Sequence, residues 1–230
     1  VTDCQLILPC RDEETALRAL LPTVPAGLDV IVVDNGSVDR TSEVARAAGA
    51  EVVAEHEPGY GAAVQAGLAA ATARYVAVMD GDGSFDPDDV LPLLALVRDG
   101  EADLAMGRRV AVDGARPPWP ARVGNALVLE VVRRRTGVRL RDLGPLRVAR
   151  RTDLLALDVR DRRYGYPVEL LDRAARAGWR IVERDVDYHP RTPGTRSKVS
   201  GSLRGTALAA RDFIRVLLLS SRLRDREGRA

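Results

Sequence analysis

Lysine is nearly missing from this chain: its 230 residues hold one, Lys198, beside 34 arginines. An arginine-biased composition accounts for the arginines but not for the one compact ammonium, a point charge on a flexible stem that suits a phosphate, where a guanidinium offers a planar fork. Aromatic residues make up only 4%, so the core has to be built from Ala, Val and Leu. The two cysteines, Cys4 and Cys10, form no CxxC pair and are too few for a disulfide framework; they read as buried free thiols of a reducing compartment. No run approaches the roughly 20 apolar residues that span a bilayer. The opening VTDCQLILPCRDEE lacks a basic stretch followed by an apolar one, so no signal peptide is expected. The expected location is cytoplasmic, with peripheral contact at the inner face of a membrane left open. No aromatic-rich basic motif is there to stack bases, which argues against nucleic acid.

What is present is the composition of a globular protein, 46% hydrophobic and 30% charged, long enough for one sizeable core. The net charge of +2 is unevenly placed. Residues 191–230 carry ten basic and three acidic side chains, whereas residues 1–190 carry 25 basic and 30 acidic. A basic tail on an acidic body points to an anionic partner at that end, a phosphate or a membrane surface. It leaves homo-oligomer formation open.

The first hundred residues alternate short β-branched runs with stretches of helical composition. Strands are expected at 4–8, 29–33, 51–54, 75–79 and 102–106, and helices at 13–21, 39–48, 61–73 and 88–98. Continuous apolar strands separated by helices indicate an α/β fold, a mostly parallel sheet covered by helices on both faces. Past the Pro-rich stretch 112–120, helices are expected at 121–135 and 166–177, strands at 143–149 and 180–188, and an Arg-bearing amphipathic helix at 203–223. In such sheets ligands bind at the carboxyl ends of the strands, and there the polar residues collect.

Asp34 follows VIVV directly, where an acid can accept hydrogen bonds from a ribose or a base, and Gly36 permits a tight turn. In MDGDG, Asp80 and Asp82 stand two apart with Gly81 between them. Two close carboxylates repel unless a cation neutralises them, and hard oxygen ligands with room for phosphate suit Mg2+ or Mn2+. A solvated acidic turn is the bland alternative. EPGYGAAVQAG places Gly59 and Gly61 before a helix, half of a dinucleotide fingerprint, which close approach of backbone to a ligand or plain loop geometry explains as well.

Together these segments resemble the family-2 glycosyltransferases of the GT-A fold, and within them the dolichol- or polyprenyl-phosphate mannose synthase group. LPCRDEE is similar to that family's P-x-Y-N-E-E, VVDNGSVDRT to its V-D-D-G-S-x-D-x-T, and MDGDGSFDP to its D-x-D segment. RDLGPLRVARR is similar to the D-x-x-x-G-F-R region, and GYPVELLDRAARAGWRIVERDVDYHPRTPGTRSK to the G-Y-x-x-E-x-L segment that ends in R-x-G-x-S-K. The likeness runs over residues 4–202. It implies a GT-A domain over 1–202, with a nucleotide-binding half (1–107) and an acceptor half (108–202), followed by an amphipathic helix and basic tail (203–230).

The resemblance also implies roles. Pro9, Arg11, Glu13, Asp34, Asn35 and Ser37, with Gly59, Gly61 and Gly81, would hold the nucleotide sugar, GDP-mannose or UDP-glucose. Asp80 and Asp82 would bind the divalent metal that bridges its diphosphate. Arg108, Arg141, Arg191, Arg196 and Lys198 would line the side of a polyprenyl- or dolichyl-phosphate-like acceptor. Asp82, Arg191 and Lys198 are then candidates for the chemistry, an inverting displacement at the anomeric carbon. A phosphate acceptor, dianionic above a second pKa of about 6, needs positioning more than deprotonation. A hydroxyl acceptor on a sugar or small metabolite would need a carboxylate base, for which Asp142 and Glu169 are the candidates. A nucleotide-binding protein without turnover, or an NAD-linked enzyme using the Gly59–Gly61 turn, is the rival from another class.

Overall fold

The computed structural model describes residues 3–112 and 119–192. Most of the Pro-rich stretch, the helix expected at 203–223, Arg196 and Lys198 lie outside the described residues. Seven strands form one sheet: β1 (Cys4–Cys10), β2 (Asp29–Asp34), β3 (Glu51–Ala54), β4 (Tyr75–Val78), β5 (Leu104–Ala111), β6 (Arg147–Arg150) and β7 (Ile181–Tyr188). Their order is β3-β2-β1-β4-β6-β5-β7. Every strand runs parallel except β6, which is antiparallel to both neighbours. A strand from the second half of the chain thus sits between β4 and β5, and both halves share one sheet.

Alternation along β1 explains the two-faced cover. Leu6 and Leu8 join one buried cluster, whereas Ile7 joins the other. The first face is covered by α1 (Glu14–Leu20), α2 (Thr41–Ala47) and α4 (Val90–Arg98), through Leu17, Val44, Val90 and Leu93. The second is covered by α3 (Tyr60–Ala70), α5 (Trp119–Thr136), α6 (Arg151–Ala156) and α7 (Tyr166–Arg176), through Val64, Leu68, Val132, Leu154 and Leu171. Aliphatic side chains fill nearly all of both clusters, as the scarcity of aromatics requires. Cys4 and Cys10 are buried free thiols in the first.

Three elements differ from expectation. The strand expected at 102–106 runs instead from Leu104 to Ala111. The strand expected over 143–149 begins only at Arg147. A Cβ on Gly144 would stand 1.9 Å from the Gly107 carbonyl oxygen, so residues 143–145 press too closely on β5 to form a ladder, and pairing starts with the Leu146 carbonyl, which accepts from Gly107 N at 2.9 Å. The short α6 was not expected; six residues are too few to show a helical period.

Candidate active site

The carboxyl ends of β1, β2, β4, β5 and β7 face one rim. At its nucleotide end the loops after β1 and β2 bind each other. Asp12, at φ 53°, donates its backbone N–H to Ser37 Oγ (3.0 Å), and its own Oδ1 accepts from Val38 N (2.8 Å). Glu13 N donates to Thr41 Oγ1 at 2.9 Å. Asp34 accepts from Ser37 N (2.8 Å) and from the Ser42 hydroxyl. Burial works against its charge, but these hydrogen bonds outweigh burial and hold the carboxyl below its ordinary range. Pro9 stands in β1 opposite Val33, and Arg11 projects from the rim, its side chain 52% exposed.

Four residues expected at a ligand also serve the scaffold. Asn35 spends its whole amide on the 55–59 loop: Nδ2 donates to the carbonyls of Glu55 (3.0 Å) and Glu57 (2.7 Å), and Oδ1 accepts from Gly59 N (2.8 Å). At Gly59 and Gly61 the close approach is to the chain's own 161–163 backbone. A Cβ on either would stand 2.2 Å from a carbonyl oxygen, of Arg162 and Asp161 respectively. Gly81 likewise makes room for Cys10, whose Sγ would be 2.5 Å from such a Cβ. Burial and the surrounding Glu13, Asp80, Asp82 and Asp34 push that thiol well above its ordinary range, which places it directly under the acidic rim.

Asp80 and Asp82 follow β4. Asp82 is 3% exposed. Its Oδ1 accepts from Ser84 N (3.0 Å) and Ser84 Oγ (2.5 Å), and its Oδ2 meets Arg191 Nη1 at 2.9 Å. The segment carrying Arg191 is tied to this loop by backbone: Thr192 N donates to the Asp82 carbonyl (3.1 Å) and His189 N to the Ser84 carbonyl (3.0 Å). Burial, then the Asp82 charge, push Asp80 up to about 6, against Arg191, Arg109 and Arg147. Among the described residues no three His, Cys, Asp or Glu side chains converge on one point. The pair nonetheless fits a divalent cation that takes its remaining oxygens from a diphosphate and water, because Asp82 already turns an oxygen toward a cation, the Arg191 guanidinium.

On the acceptor side the charges are paired. Arg109 grips Asp142 through Nε and Nη2, both at 2.7 Å, and its backbone N–H adds a third bond at 3.1 Å. Both Asp142 oxygens are therefore engaged by Arg109. Glu169 is spent too, on Arg173 (2.7 Å) and on the backbone amides of Arg160 (3.1 Å) and Asp161 (2.7 Å). Both expected bases serve as anchors, the first for the turn beside β5 and the second for the loop that packs on Gly59 and Gly61. Arg108 forms a two-pronged pair with Asp185. The Arg141 and Asp142 amides are captured by the Glu183 carboxylate at 2.8–3.1 Å. Arg109, Arg147 and Glu183 were missed; Arg109, in the strand-end run GRR, could have been found by the rule that located Asp80.

The protein-family model described as glycosyl transferase family 2 matches residues 5–151. Glycosyltransferase Mb0553 of Mycobacterium bovis is 54% identical over 212 residues, covering 92% of this chain and 96% of that one. The undecaprenyl-phosphate mannosyltransferase of Micrococcus luteus is 34% identical over 210 residues, 84% of each chain. Among solved structures, glucosyl-3-phosphoglycerate synthase from Mycobacterium tuberculosis, in complex with Mn2+, UDP-glucose and phosphoglyceric acid, superimposes with a TM-score of 0.73 at 26% identity, covering 94% of this chain and 79% of that one.

Proposed function

The chain belongs to glycosyl transferase family 2 and is a glycosyltransferase of GT-A fold; from that premise we propose that it moves a hexose from a nucleotide sugar to a polyprenyl-phosphate-like acceptor. One observation carries the reading: the buried Asp82 offers the same oxygen rim to a cation and holds Arg191, an anion-binding group, against it at 2.9 Å. Carboxylates for a metal–diphosphate and a guanidinium for a phosphate thus share one point, where donor and acceptor would meet.

In this reading the shelf of Pro9, Arg11, Glu13, Asp34 and Ser37 receives the nucleoside, with Asn35, Gly59, Gly61 and Gly81 shaping the loops around it. Asp80 and Asp82 hold Mg2+ or Mn2+ on the diphosphate. When bound, the metal offsets the negative charge that grows on the leaving group. Arg191 then turns from Asp82 to the acceptor, joined by Arg141 and by Arg196 and Lys198, which follow it in the chain; Arg108 would first have to part from Asp185. An acceptor phosphate oxygen attacks the anomeric carbon, the bond from that carbon to the diphosphate oxygen breaks, and the nucleoside diphosphate leaves with inversion. No proton has to be removed from a phosphate dianion, and the engagement of both Asp142 and Glu169 favours such an acceptor over a hydroxyl. A lipid acceptor would bring the chain to a membrane surface as a peripheral protein; no helix among the described residues is long and apolar enough to cross one.

The likeness to a phosphoglycerate-using enzyme supports a second reading, transfer to a hydroxyl of a small phosphorylated metabolite. Incubating the protein with Mn2+, UDP-glucose or GDP-mannose, and either undecaprenyl phosphate in detergent or phosphoglycerate, separates the two by product mass. A glycosyl phospholipid with inverted anomeric coupling in its NMR spectrum supports the first reading; a glycosylated phosphoglycerate replaces it with the second; transfer to neither sinks both.

A further inference from the structure

Arg147, the first residue of β6, is 4% exposed. Its Nη2 donates to the Leu143 carbonyl at 3.3 Å, a long bond, and its Nε and Nη1 are buried without a hydrogen-bond partner. A guanidinium taken out of water and left half-satisfied is costly, and natural cores keep such groups rarely. The sheet fixes where it stands. Arg147 pairs with Val78 of β4 on one side and Met106 of β5 on the other, two residues before Asp80 along the β4 strand. It lies on the same face as Tyr60 and Tyr166, whose rings meet edge-on with centroids 6.2 Å apart. The buried Tyr60 hydroxyl has no well-aligned partner among the described residues, and the Arg147 guanidinium lies close enough to act on it both by charge and as a donor. Burial drives that phenol up to about 12, and the nearby guanidinium pulls the other way.

Three arginines act on Asp80. Arg191 is paired with Asp82 and Arg109 with Asp142. Among the described residues Arg147 makes no carboxylate ion pair, so no carboxylate there neutralises its charge. We propose that Arg147 is a positioning residue for the transfer: a fixed, desolvated positive charge beneath the end of β4 that stabilises the negative charge growing on the leaving diphosphate without touching it. The inference rests on the nucleotide-sugar reading above. Locked between two strands and screened from water, the charge needs no reorganisation as the reaction proceeds, the condition under which a buried charge acts most strongly.

A purely structural arginine would be replaced at a loss of stability; a preorganised charge would be replaced at a loss of charge recognition. Arg147→Met fills the same space without the charge, and Arg147→Lys restores the charge. The measurements are thermal unfolding, calorimetric binding of uridine and guanosine against UDP and GDP with Mn2+, and steady-state transfer. Arg147→Met is expected to keep or raise Tm and to bind the nucleosides within about twofold of wild type, while losing about tenfold in diphosphate affinity. Its kcat should fall about 30-fold with donor KM raised no more than about threefold, and Arg147→Lys should recover much of the kcat. Equal loss of nucleoside and diphosphate binding, or Tm falling in step with activity while Arg147→Lys is no better than Arg147→Met, would overturn the inference. So would undiminished diphosphate binding and turnover in Arg147→Met, with the functional reading left standing. If the wild type binds neither UDP nor GDP with Mn2+, both fall together.

Discussion

Asp34, at the end of β2, and Asp82, past the end of β4, stand on the same rim of one sheet but keep different company. Asp34 is held by neutral donors, the Ser37 amide and the Ser42 hydroxyl. Asp82 shares its charge with Arg191, and nearby Asp142 shares its own with Arg109. Neutral donors leave a carboxylate its full charge and bind it in place, which suits a shelf that recognises a ligand unchanged by the reaction. A carboxylate neutralised by an arginine can trade that partner for another cation. If the two ends hold the nucleoside and the phosphates as proposed, the first is built in its working arrangement and the second is built to exchange partners.

The strongest way to break this contrast is Asp82→Asn. The amide can still accept from Ser84 at one end but offers Arg191 a donor in place of an acceptor. Transfer should fall about 10³-fold, about 4 kcal/mol of transition-state stabilisation, and Mn2+ should no longer strengthen nucleotide binding. Activity surviving within about tenfold would show that the exchangeable carboxylate is not the centre of the site.

Arg109 and Asp142 should behave as a pair that is costly to break and cheap to replace. Burial works against the Arg109 charge, and the three bonds to Asp142 outweigh it, so its pKa rises. Arg109→Met alone leaves Asp142 uncompensated and should cost about 3 kcal/mol, whereas Arg109→Met with Asp142→Leu should recover most of it. Urea unfolding of the two singles and the double closes the cycle. If the losses simply add, the pair is not the unit claimed.

How much of this was legible before folding follows the same division. The first four strands lie where their β-branched runs stood, because a strand buried on both faces advertises itself in consecutive residues, whereas β5 starts inside its run and continues into the polar residues up to Ala111. Asp80 and Asp82 were found because a strand end is a local feature. Arg191 was expected at a phosphate, and its grip on Asp82 joins residues 109 positions apart, which no local pattern announces. Asp142 was open to two roles, a base or a partner for arginines, and that Arg109 reaches it across 33 positions is likewise announced by no local pattern. Glu169 carried a readable warning: Arg173 lies four residues on along α7, the spacing of a helical ion pair. Gly59 and Gly61 were rightly tied to a close approach, but the approaching group is backbone from residues 161–163, known only once the loop is in place.

At the shelf, Ser42→Ala removes one neutral donor from Asp34 and should cost about 1 kcal/mol. The folded pKa of Asp34 is lowered, so its contribution is present above the ordinary carboxylate range and is lost as pH falls through the folded value. The mutant's deficit should therefore shrink on acidification. At neutral pH it should be nearly independent of salt, because a neutral donor carries no charge for ions to screen. A deficit that screens with salt would place Asp34 with the ion-paired carboxylates.

Asp89, just before α4, is held by neither device, and so sharpens the rule. Its Oδ2 is buried without a partner. Burial, Asp86, Asp187 and Asp88 raise its pKa to about 6, with only the His189 charge opposing them. A carboxyl whose folded pKa lies above its unfolded value binds its proton more tightly when folded. Stability is then greatest below the unfolded value and is lost as pH rises toward 6, the reverse of Asp34. Asp89→Asn removes the charge and gives the buried position a donor. Because the group is only partly buried the gain is small, a Tm higher by about 2 °C at neutral pH, and it should vanish near pH 4, where wild-type Asp89 is itself protonated. A gain that persists unchanged at pH 4 would come from packing, and would remove Asp89 as the case in which a carboxylate lacks both kinds of partner.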